Sequence, residues 1–308
     1  SLRDHLGRSG NARQLDRLST ASLAFLAMAL DRDNARFRNF MGFERQWVER
    51  QGSEDSHGRA LWALGIGTSY AQRSGHRELC EWLFDIALRP VASFSSPRAW
   101  AFCLLGIHEF LREHPEHAAA LETRARLVAE LQRLWHECAT PDWPWFETSA
   151  TYDNPRLSQA MIASGHALGD EECIRIGMDS LRWLVSIQTT QTGCFRPVGS
   201  NGFYSRGGAR ADFDQQPVEA QAMVAACLDA HRLTKDDTWF REARRAFEWF
   251  LGRNDLGLPL YDPTSGGCAD GLHHDRINQN QGAESTLAFH LALAGMNFAT
   301  HLLPSASV

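Results

Sequence analysis

The chain has 308 residues, of which 44% are hydrophobic and 22% are charged, and its formal net charge is −6 at pH 7. This composition is typical of a globular protein with a large core. The mild charge and the lack of any Lys/Arg block exclude a nucleic-acid surface. No apolar run reaches the roughly 20 residues that span a bilayer, so we also expect no membrane partner.

The predicted helices alternate between two kinds along the chain. The first kind is apolar on nearly every face and is predicted at 11–31, 55–73, 96–112, 153–168, 215–232 and 281–301. The second kind is amphipathic and is predicted at 77–89, 116–138, 170–188 and 236–252. A helix that is apolar all round must be buried on all sides, whereas a helix with one apolar stripe lies outside.

This alternation predicts an all-α fold, the (α/α)6 toroid, in which six inner helices run parallel inside an outer ring. A solenoid of helical pairs is the alternative, but the spacing of the inner helices is too irregular for a fixed-period repeat. No linker or low-complexity segment divides the chain, so we predict a single domain over 1–308. The start at Ser1, without a methionine, indicates a truncated N-terminus.

Seven cysteines are scattered singly, without a CxxC pair. An odd number of unpaired cysteines, several of them in apolar helices, is typical of a reduced protein. We therefore predict no disulfide framework and a cytoplasmic location.

Long polar loops lead into the inner helices at 32–54, 139–153, 189–214 and 253–280. In a parallel inner ring these loops gather on one face, above the positive ends of the helices. Loops gathered on a rigid scaffold are where binding and catalysis usually occur. The sequence therefore predicts one polar site that is ringed by helix starts.

Carboxylates in these loops suit the cleavage of a glycosidic bond, which needs one protonated acid and one ionised carboxylate. Glu147 follows Trp143 and Trp145, and an apolar neighbourhood raises a carboxyl pKa, so we predict Glu147 as the general acid. Asp55 or Asp214 is the predicted base. The alternative for Asp55 and for Asp153 is that each only caps its helix.

The predicted substrate-binding residues are aromatic rings for stacking on sugars and polar side chains for hydroxyl groups. For the arginines, ion pairing with the neighbouring acids is the alternative role. The set is His57, Arg59, Arg98, Trp145, Tyr152, Asp153, Asn154, Arg156, Gln215, Gln216, Asn280, Gln281 and Glu284.

We expect no metal and no cofactor. The pair Asp212-x-Asp214 has the spacing of a metal-binding DxD motif but lacks a nucleotide-sugar fold around it. His273 and His274 have no partner at ligand spacing and are assigned to a polar loop. The chain has no Walker loop, no nucleophile elbow and no dinucleotide motif.

Four segments carry a family resemblance: Ser53-Glu54-Asp55-Ser56-His57-Gly58-Arg59, Tyr152-Asp153-Asn154-Pro155-Arg156, Asp214-Gln215-Gln216-Pro217 and Asn280-Gln281-Gly282-Ala283-Glu284. They resemble a bacterial all-α domain that occurs alone or fused to GT-B glycosyltransferases and is often named a glycosyltransferase by association. The resemblance implies the six-hairpin glycosidase-like toroid, a carbohydrate context and a glycosyltransferase domain or protein as a partner.

The chain departs from this family at the first inner helix. The family has a Thr-Asp-Asp-Asn-Ala-Arg pattern there, whereas this chain has Arg8-Ser9-Gly10-Asn11-Ala12-Arg13 and lacks both acids. If those acids are catalytic, the activity is altered or lost; if they only bind substrate, the specificity differs.

The leading functional hypothesis is a glycoside-hydrolase-like enzyme that acts on an oligosaccharide or polysaccharide by acid/base chemistry. The first alternative is a sugar epimerase of the N-acylglucosamine 2-epimerase type, which shares the toroid and needs histidine bases. His57 is available for this role, whereas the other candidates, His273 and His274, lie in an irregular loop. The second alternative is a non-catalytic glycan-binding domain.

Overall fold

The computed structural model describes residues 12–302, and the chain divides into two compact units, Ser1–Leu131 and Gln132–Val308. The stretch from Arg8 to Asn11, where the family's acid pair is missing, lies outside the described residues. No helix among residues 12–302 combines the length and the apolar character needed to cross a membrane.

The first unit consists of helices and one small two-stranded sheet, with a long loop over 38–53 that leads into α2. Ser53 caps α2 by accepting a hydrogen bond from the Ser56 N–H at 3.0 Å. Ser96 caps α4 in the same way, and Pro97 occupies its first turn, where no N–H is needed. In chain order the elements are α1 (Ala12–Ala29), β1 (Leu30–Asp31), β2 (Arg36–Phe37), α2 (Glu54–Tyr70), α3 (Ser74–Leu88), a 3-10 turn (Arg89–Ser93), α4 (Pro97–Glu113) and the start of α5 (Ala118–Cys138).

The second unit continues with helical hairpins and two further small antiparallel sheets, β3 with β4 and β5 with β6. Pro155 and Pro217 occupy the first turns of their helices, and Asp170 and Asp236 cap the two outer ones. The elements are β3 (Ser149–Ala150), α6 (Pro155–Leu168), α7 (Glu171–Ile187), β4 (Tyr204–Ser205), α8 (Pro217–Thr234), α9 (Asp237–Glu248) with a 3-10 turn (Trp249–Leu251), β5 (Gly271–Leu272), β6 (Ile277–Asn278) and α10 (Ala283–Leu302).

Each predicted helix has a counterpart within a few residues of its expected bounds. Burial follows the prediction for α4 and α8, which are enclosed over most of their surface. The prediction of complete burial is wrong for α1 and α10, because the elements described around them cover only part of each helix. They expose Leu18, Phe25 and Met28 on α1 and Leu287, Leu291 and Phe298 on α10.

The helices α2 and α4 pack closely because glycines lie where they meet. A Cβ atom on Gly65 would lie 2.9 Å from the carbonyl carbon of Gly106, and one on Gly106 would lie 2.8 Å from the Leu61 oxygen. Gly58 faces the Ala99 carbonyl in the same manner, at 2.9 Å. These backbone neighbours cannot rotate away as a side chain can, so the close approach depends on glycine.

Replacing Gly65 with Ala should therefore push α2 away from α4 and lower the free energy of unfolding by about 1–3 kcal/mol, the usual cost of overpacking. The matched control is Gly75→Ala in α3, where a new Cβ has no neighbour within 4 Å. The control should be neutral or slightly stabilising, since alanine is the better helix former. Urea unfolding of both variants tests this, and equal stabilities would contradict the close packing.

His57 is fully buried in the first unit, so its prediction as a substrate-binding residue is corrected. Its Nδ1 accepts a hydrogen bond from the Phe37 N–H at 3.3 Å, and its Nε2 lies 2.7 Å from the Ala87 carbonyl. The ring packs against Phe37 and Phe94. Both ring nitrogens are thus occupied in joining β2 and α3 to α2, and neither is available to a sugar.

Burial lowers the pKa of His57 to about 4 from its ordinary value of 6.5, with the positive charge of Arg36 acting in the same direction. The unfolded chain therefore binds a proton near pH 6.5, whereas the folded chain does so only near pH 4. Stability should be complete above pH 6.5 and fall as the pH drops towards 4, by up to roughly 3 kcal/mol.

Urea unfolding between pH 7 and pH 4.5 measures this loss. His57→Gln should be less stable at pH 7 but should lose less stability on acidification, because glutamine does not titrate. Parallel pH profiles for the wild type and the variant would show that His57 does not cause the loss.

Candidate functional site

The segment that enters α8 and the β5–β6 hairpin are joined by backbone hydrogen bonds in the second unit. The Gln215 N–H donates to the Leu272 oxygen at 2.9 Å, and the Leu272 N–H donates back to the Gln215 oxygen at 3.0 Å. Asp214 precedes Gln215 and His273 follows Leu272. The antiparallel bridge therefore brings Asp214 and His273 together from opposite directions.

Asp214 and His273 form a close acid–imidazole pair. The His273 Nδ1 lies 2.5 Å from Asp214 Oδ1, and both side chains are partly exposed, at 25% for His273 and 34% for Asp214. An ionised carboxylate only accepts hydrogen bonds, so Nδ1 carries the proton. None of the described residues forms a hydrogen bond with Nε2. The pair thus has an oriented imidazole with a nitrogen available for proton transfer.

Gln216 lies next to this pair. A Cβ atom on Gly271 would lie 3.3 Å from Gln216 Nε2 and 2.9 Å from the Gln215 oxygen. Gly271 therefore leaves room for the Gln216 amide beside the hairpin. The Gln216 side chain is partly exposed, so its amide is placed where it can reach a bound hydroxyl group.

Four charged side chains form an ion-pair cluster near the same segment. Arg196 contacts both oxygens of Asp255, with Nε at 2.9 and 3.0 Å, and reaches Asp212 Oδ2 with Nη1 at 2.9 Å. Arg210 donates to Asp212 Oδ1 at 2.6 Å. The hydrogen bond with Asp255 raises the pKa of Arg196, and burial lowers the pKa of Arg210. The Asp212-x-Asp214 pair thus contacts arginine and histidine in this structure.

Two carboxylates organise the entry to α10. Asp270 accepts hydrogen bonds from Asn280 Nδ2 and from the Gly282 N–H, the latter at 2.7 Å. Asp262 accepts from Ser265 Oγ at 2.7 Å, from the Thr264 N–H at 2.8 Å and from Gln281 Nε2 at 3.5 Å. Asn280 and Gln281, which are predicted to bind hydroxyl groups, are exposed. The amide of Asn280 also donates to Asp270, and the amide of Gln281 donates to Asp262.

The hydrogen bonds from Ser265 and from the Thr264 N–H lower the pKa of Asp262 to about 2. A ¹³C NMR titration of the carboxyl groups should therefore show a midpoint near 2 for Asp262, below the usual value of about 3.9. Because the folded pKa is lowered, this loop gains stability from Asp262 above pH 4 and loses it as the pH falls towards 2.

Ser265→Ala should raise that midpoint towards the ordinary value, since the variant removes the largest stabilising hydrogen bond. Ser93→Ala is the control, because Ser93 lies on the first unit and bonds only to the Pro90 oxygen. A wild-type midpoint near 4 would show that the hydrogen bonds around Asp262 do not form in solution.

Three predicted residues at the start of α6 belong instead to a buried network. Arg156 Nε donates to Asp153 Oδ1 at 3.2 Å, and its terminal nitrogens reach Gln159 and Gln221. The Asp153 N–H donates to Glu219, and Asn154 Nδ2 donates to the Thr151 oxygen at 3.0 Å. These side chains are at least nine-tenths buried. Asp153 and Arg156 therefore join the start of α6 to α8, and Asn154 bonds to the segment before α6, so their prediction as sugar contacts is corrected.

The two aromatic residues predicted to stack on a sugar differ in burial. Trp145 is completely buried against Phe146 and Trp183, so it cannot stack on a sugar ring, and this prediction is corrected. Tyr152 is 40% exposed and can take that role. Glu147 is partly exposed, and its backbone oxygen accepts from Trp143 Nε1 at 2.7 Å. Glu284 is exposed in the first turn of α10.

The prediction of Gln215 as a substrate-binding residue is also corrected. Its side chain is buried, and both its nitrogen and its oxygen are hydrogen-bonded within the second unit.

The remaining predicted residues of the first unit are Asp55, Arg59 and Arg98. Asp55 pairs with Arg59 at 3.0 Å, and the Arg59 guanidinium lies 4.2 Å from the Phe102 ring centre. Both side chains are partly exposed, at 28% for Asp55 and 34% for Arg59. Arg98 is 4% exposed, so its guanidinium is withdrawn from solvent.

His273 was considered only as a base for the epimerase alternative, and its place in an irregular loop counted against it. It lies 59 positions from Asp214, and an isolated histidine pair in a glycine-containing loop has no local pattern that predicts its partner. The available signal was the pair of turns on either side of it, at Gly271 and Asp275, which are typical of a short hairpin.

No protein-family model matches the chain, and no curated protein has significant sequence similarity to it. Solved structures are similar to it at low identity. The cellobiose 2-epimerase from Spirochaeta thermophila DSM 6192 has a TM-score of 0.67 at 13% identity, over 98% of this chain and 84% of that chain. A D-mannose isomerase has a TM-score of 0.69 at 12% identity, with the same two coverages.

The unsaturated glucuronyl hydrolase from Bacillus sp. GL1 is similar too, with a TM-score of 0.66 at 12% identity, over 92% of this chain and 77% of that chain. These likenesses show the fold alone. They confirm the predicted fold class, all-α with the (α/α)6 toroid of the six-hairpin glycosidases.

Proposed function

We propose that this protein is a carbohydrate-active enzyme that moves a proton on a sugar, in a reaction of the isomerase or epimerase class. The observation that carries the proposal is the Asp214–His273 pair, in which a carboxylate orients an imidazole and leaves Nε2 available. A glycoside hydrolase typically uses two carboxylates, whereas abstraction of a proton next to a carbonyl suits an imidazole base.

In the proposed reaction, His273 Nε2 takes the proton from C2 of an open-chain aldose. The electron pair of the broken C2–H bond forms the C1–C2 double bond of an enediol, and the carbonyl oxygen takes a proton from water. Asp214 stabilises the imidazolium through Nδ1–H. Return of the proton from the imidazolium to C1 on the same face gives the ketose, and the C2 hydroxyl proton passes to the hydroxide left by the water. Inversion at C2 instead needs a proton donor on the opposite face of C2, and the C1 hydroxyl proton then passes to that hydroxide.

The exposed polar and aromatic residues of the second unit are the proposed sugar contacts: Tyr152, Gln216, Asn280, Gln281 and Glu284. The names of two structural neighbours, a cellobiose 2-epimerase and a D-mannose isomerase, support a saccharide substrate. A glycosyltransferase domain or protein stays a proposed partner. The seven free cysteines support the proposed reducing, cytoplasmic location.

Hydrolysis of a glycosidic bond is the second candidate, with Glu147 as acid and Asp214 as base. It is favoured by the partial exposure of both residues and by the hydrolase among the neighbours. In this mechanism Asp214 acts on water rather than through His273. His273 is therefore essential for the isomerase or epimerase reaction but not for hydrolysis.

The test is incubation of the protein with reducing mono- and disaccharides in D₂O, followed by ¹H NMR. The wild type should lose the C2 proton signal of its substrate and form an epimer or ketose. His273→Asn should lower the rate at least 100-fold, which is within the usual contribution of about 10²–10⁴ from a general base. His274→Asn should keep the wild-type rate, because His274 is exposed and its one ion pair with the described residues is to Asp275, at 3.7 Å.

New reducing ends from glycosides, without deuterium at C2, would favour the hydrolase. Equal rates for the His273 and His274 variants would exclude His273 as the base. Tight glycan binding without turnover of any sugar would favour the non-catalytic alternative.

A further inference from the structure

We infer that Asp255 is a positioning residue for the Asp214–His273 pair and that it acts through the side chain of Gln215. The inference rests on the proposed function, in which that pair transfers the proton. Among the described residues, Asp255 forms hydrogen bonds with Arg196 and Gln215 and none with Asp214 or His273, so its effect must pass through the residues between them.

Gln215 is held on every side by hydrogen bonds. Its Nε2 donates to Asp255 Oδ2 at 2.6 Å and to the Asp212 backbone oxygen at 3.0 Å, and its Oε1 accepts from Trp249 Nε1 at 2.7 Å. The side chain is completely buried. A buried amide with all its bonds made has one orientation, because any rotation would leave polar atoms without partners.

The Gln215 backbone forms the bridge to Leu272 that brings the pair together. Asp214 is bonded covalently to Gln215 on one strand of this bridge, and His273 is bonded to Leu272 on the other. A shift or rotation of Gln215 therefore changes the distance between Asp214 Oδ1 and His273 Nδ1. A misplacement of about 1 Å in a catalytic group can cost roughly 100-fold in rate.

Asp255 is itself fixed in place. The Arg196 guanidinium contacts both of its oxygens, and its side chain is only 11% exposed. Arg196 thus orients the carboxylate so that Oδ2 accepts from the Gln215 amide. A charged acceptor makes this hydrogen bond stronger than one between two neutral groups.

Asp255→Asn tests the link, and Asp212→Asn is its matched control. Both changes remove one negative charge that contacts Arg196. Only Asp255 bonds to the Gln215 amide through its side chain, since Asp212 does so through its backbone oxygen. If the ion-pair cluster around Arg196 had only a structural role, the two variants would behave alike.

The first measurement needs no substrate: ¹⁵N-histidine NMR reports which ring nitrogen of His273 carries the proton, with His273→Asn used for assignment. The wild type and Asp212→Asn should have the proton on Nδ1, whereas Asp255→Asn should shift a measurable fraction to Nε2. With a sugar that the protein turns over, Asp255→Asn should lower kcat at least tenfold and change KM less than twofold.

A conservative variant guards against a variant that fails to fold. Asp255→Glu keeps a carboxylate that can accept from the Gln215 amide and from Arg196. It should keep the His273 proton on Nδ1.

If Asp255→Asn and Asp212→Asn behave alike, or if Asp255→Glu shifts the proton as much as Asp255→Asn does, the positioning role is overturned and the proposed function is left intact. A wild-type His273 without its proton on Nδ1 would instead remove the pair itself, and the proposed function with it.

Discussion

The two backbone hydrogen bonds between Gln215 and Leu272 are the constraint on which the candidate site depends. The loop before α8 also bonds to the backbone of residues 199–201, and the β5–β6 hairpin is closed by its own hydrogen bonds; the bridge joins these two segments to each other. Once paired, each limits the movement of the other, and the side chains on either side of the bridge acquire fixed positions. The Asp214–His273 pair is a consequence of that pairing.

Burial separates the polar residues that stabilise the fold from those that are available for chemistry. Arg156, Asp153 and Gln221 are buried, and each is satisfied by a partner on a neighbouring element. Since an unpaired buried charge would cost several kcal/mol, such groups must bond to one another. Asp214 and His273 lie at the edge of the core, where a ligand can replace water.

The same helical scaffold supports several sugar reactions, as the names of its neighbours indicate: epimerisation, isomerisation and hydrolysis. The helices therefore say little about which reaction occurs here. That choice depends on loop residues, which contribute less to the core and vary more freely. In this chain the loops around Asp214 and His273 carry the proposed site.

The sequence by itself determined the helices, because their periodicity, serine and aspartate caps and first-turn prolines are local signals that act within a few residues. It also proposed Asp214 and Gln216 as site residues, and these stay predictions. Only the tertiary structure decided that Trp145, Asp153 and Arg156 are buried and that His273 pairs with Asp214, 59 positions away. Burial and long-range pairing depend on which elements pack together, and no spacing within one segment encodes that.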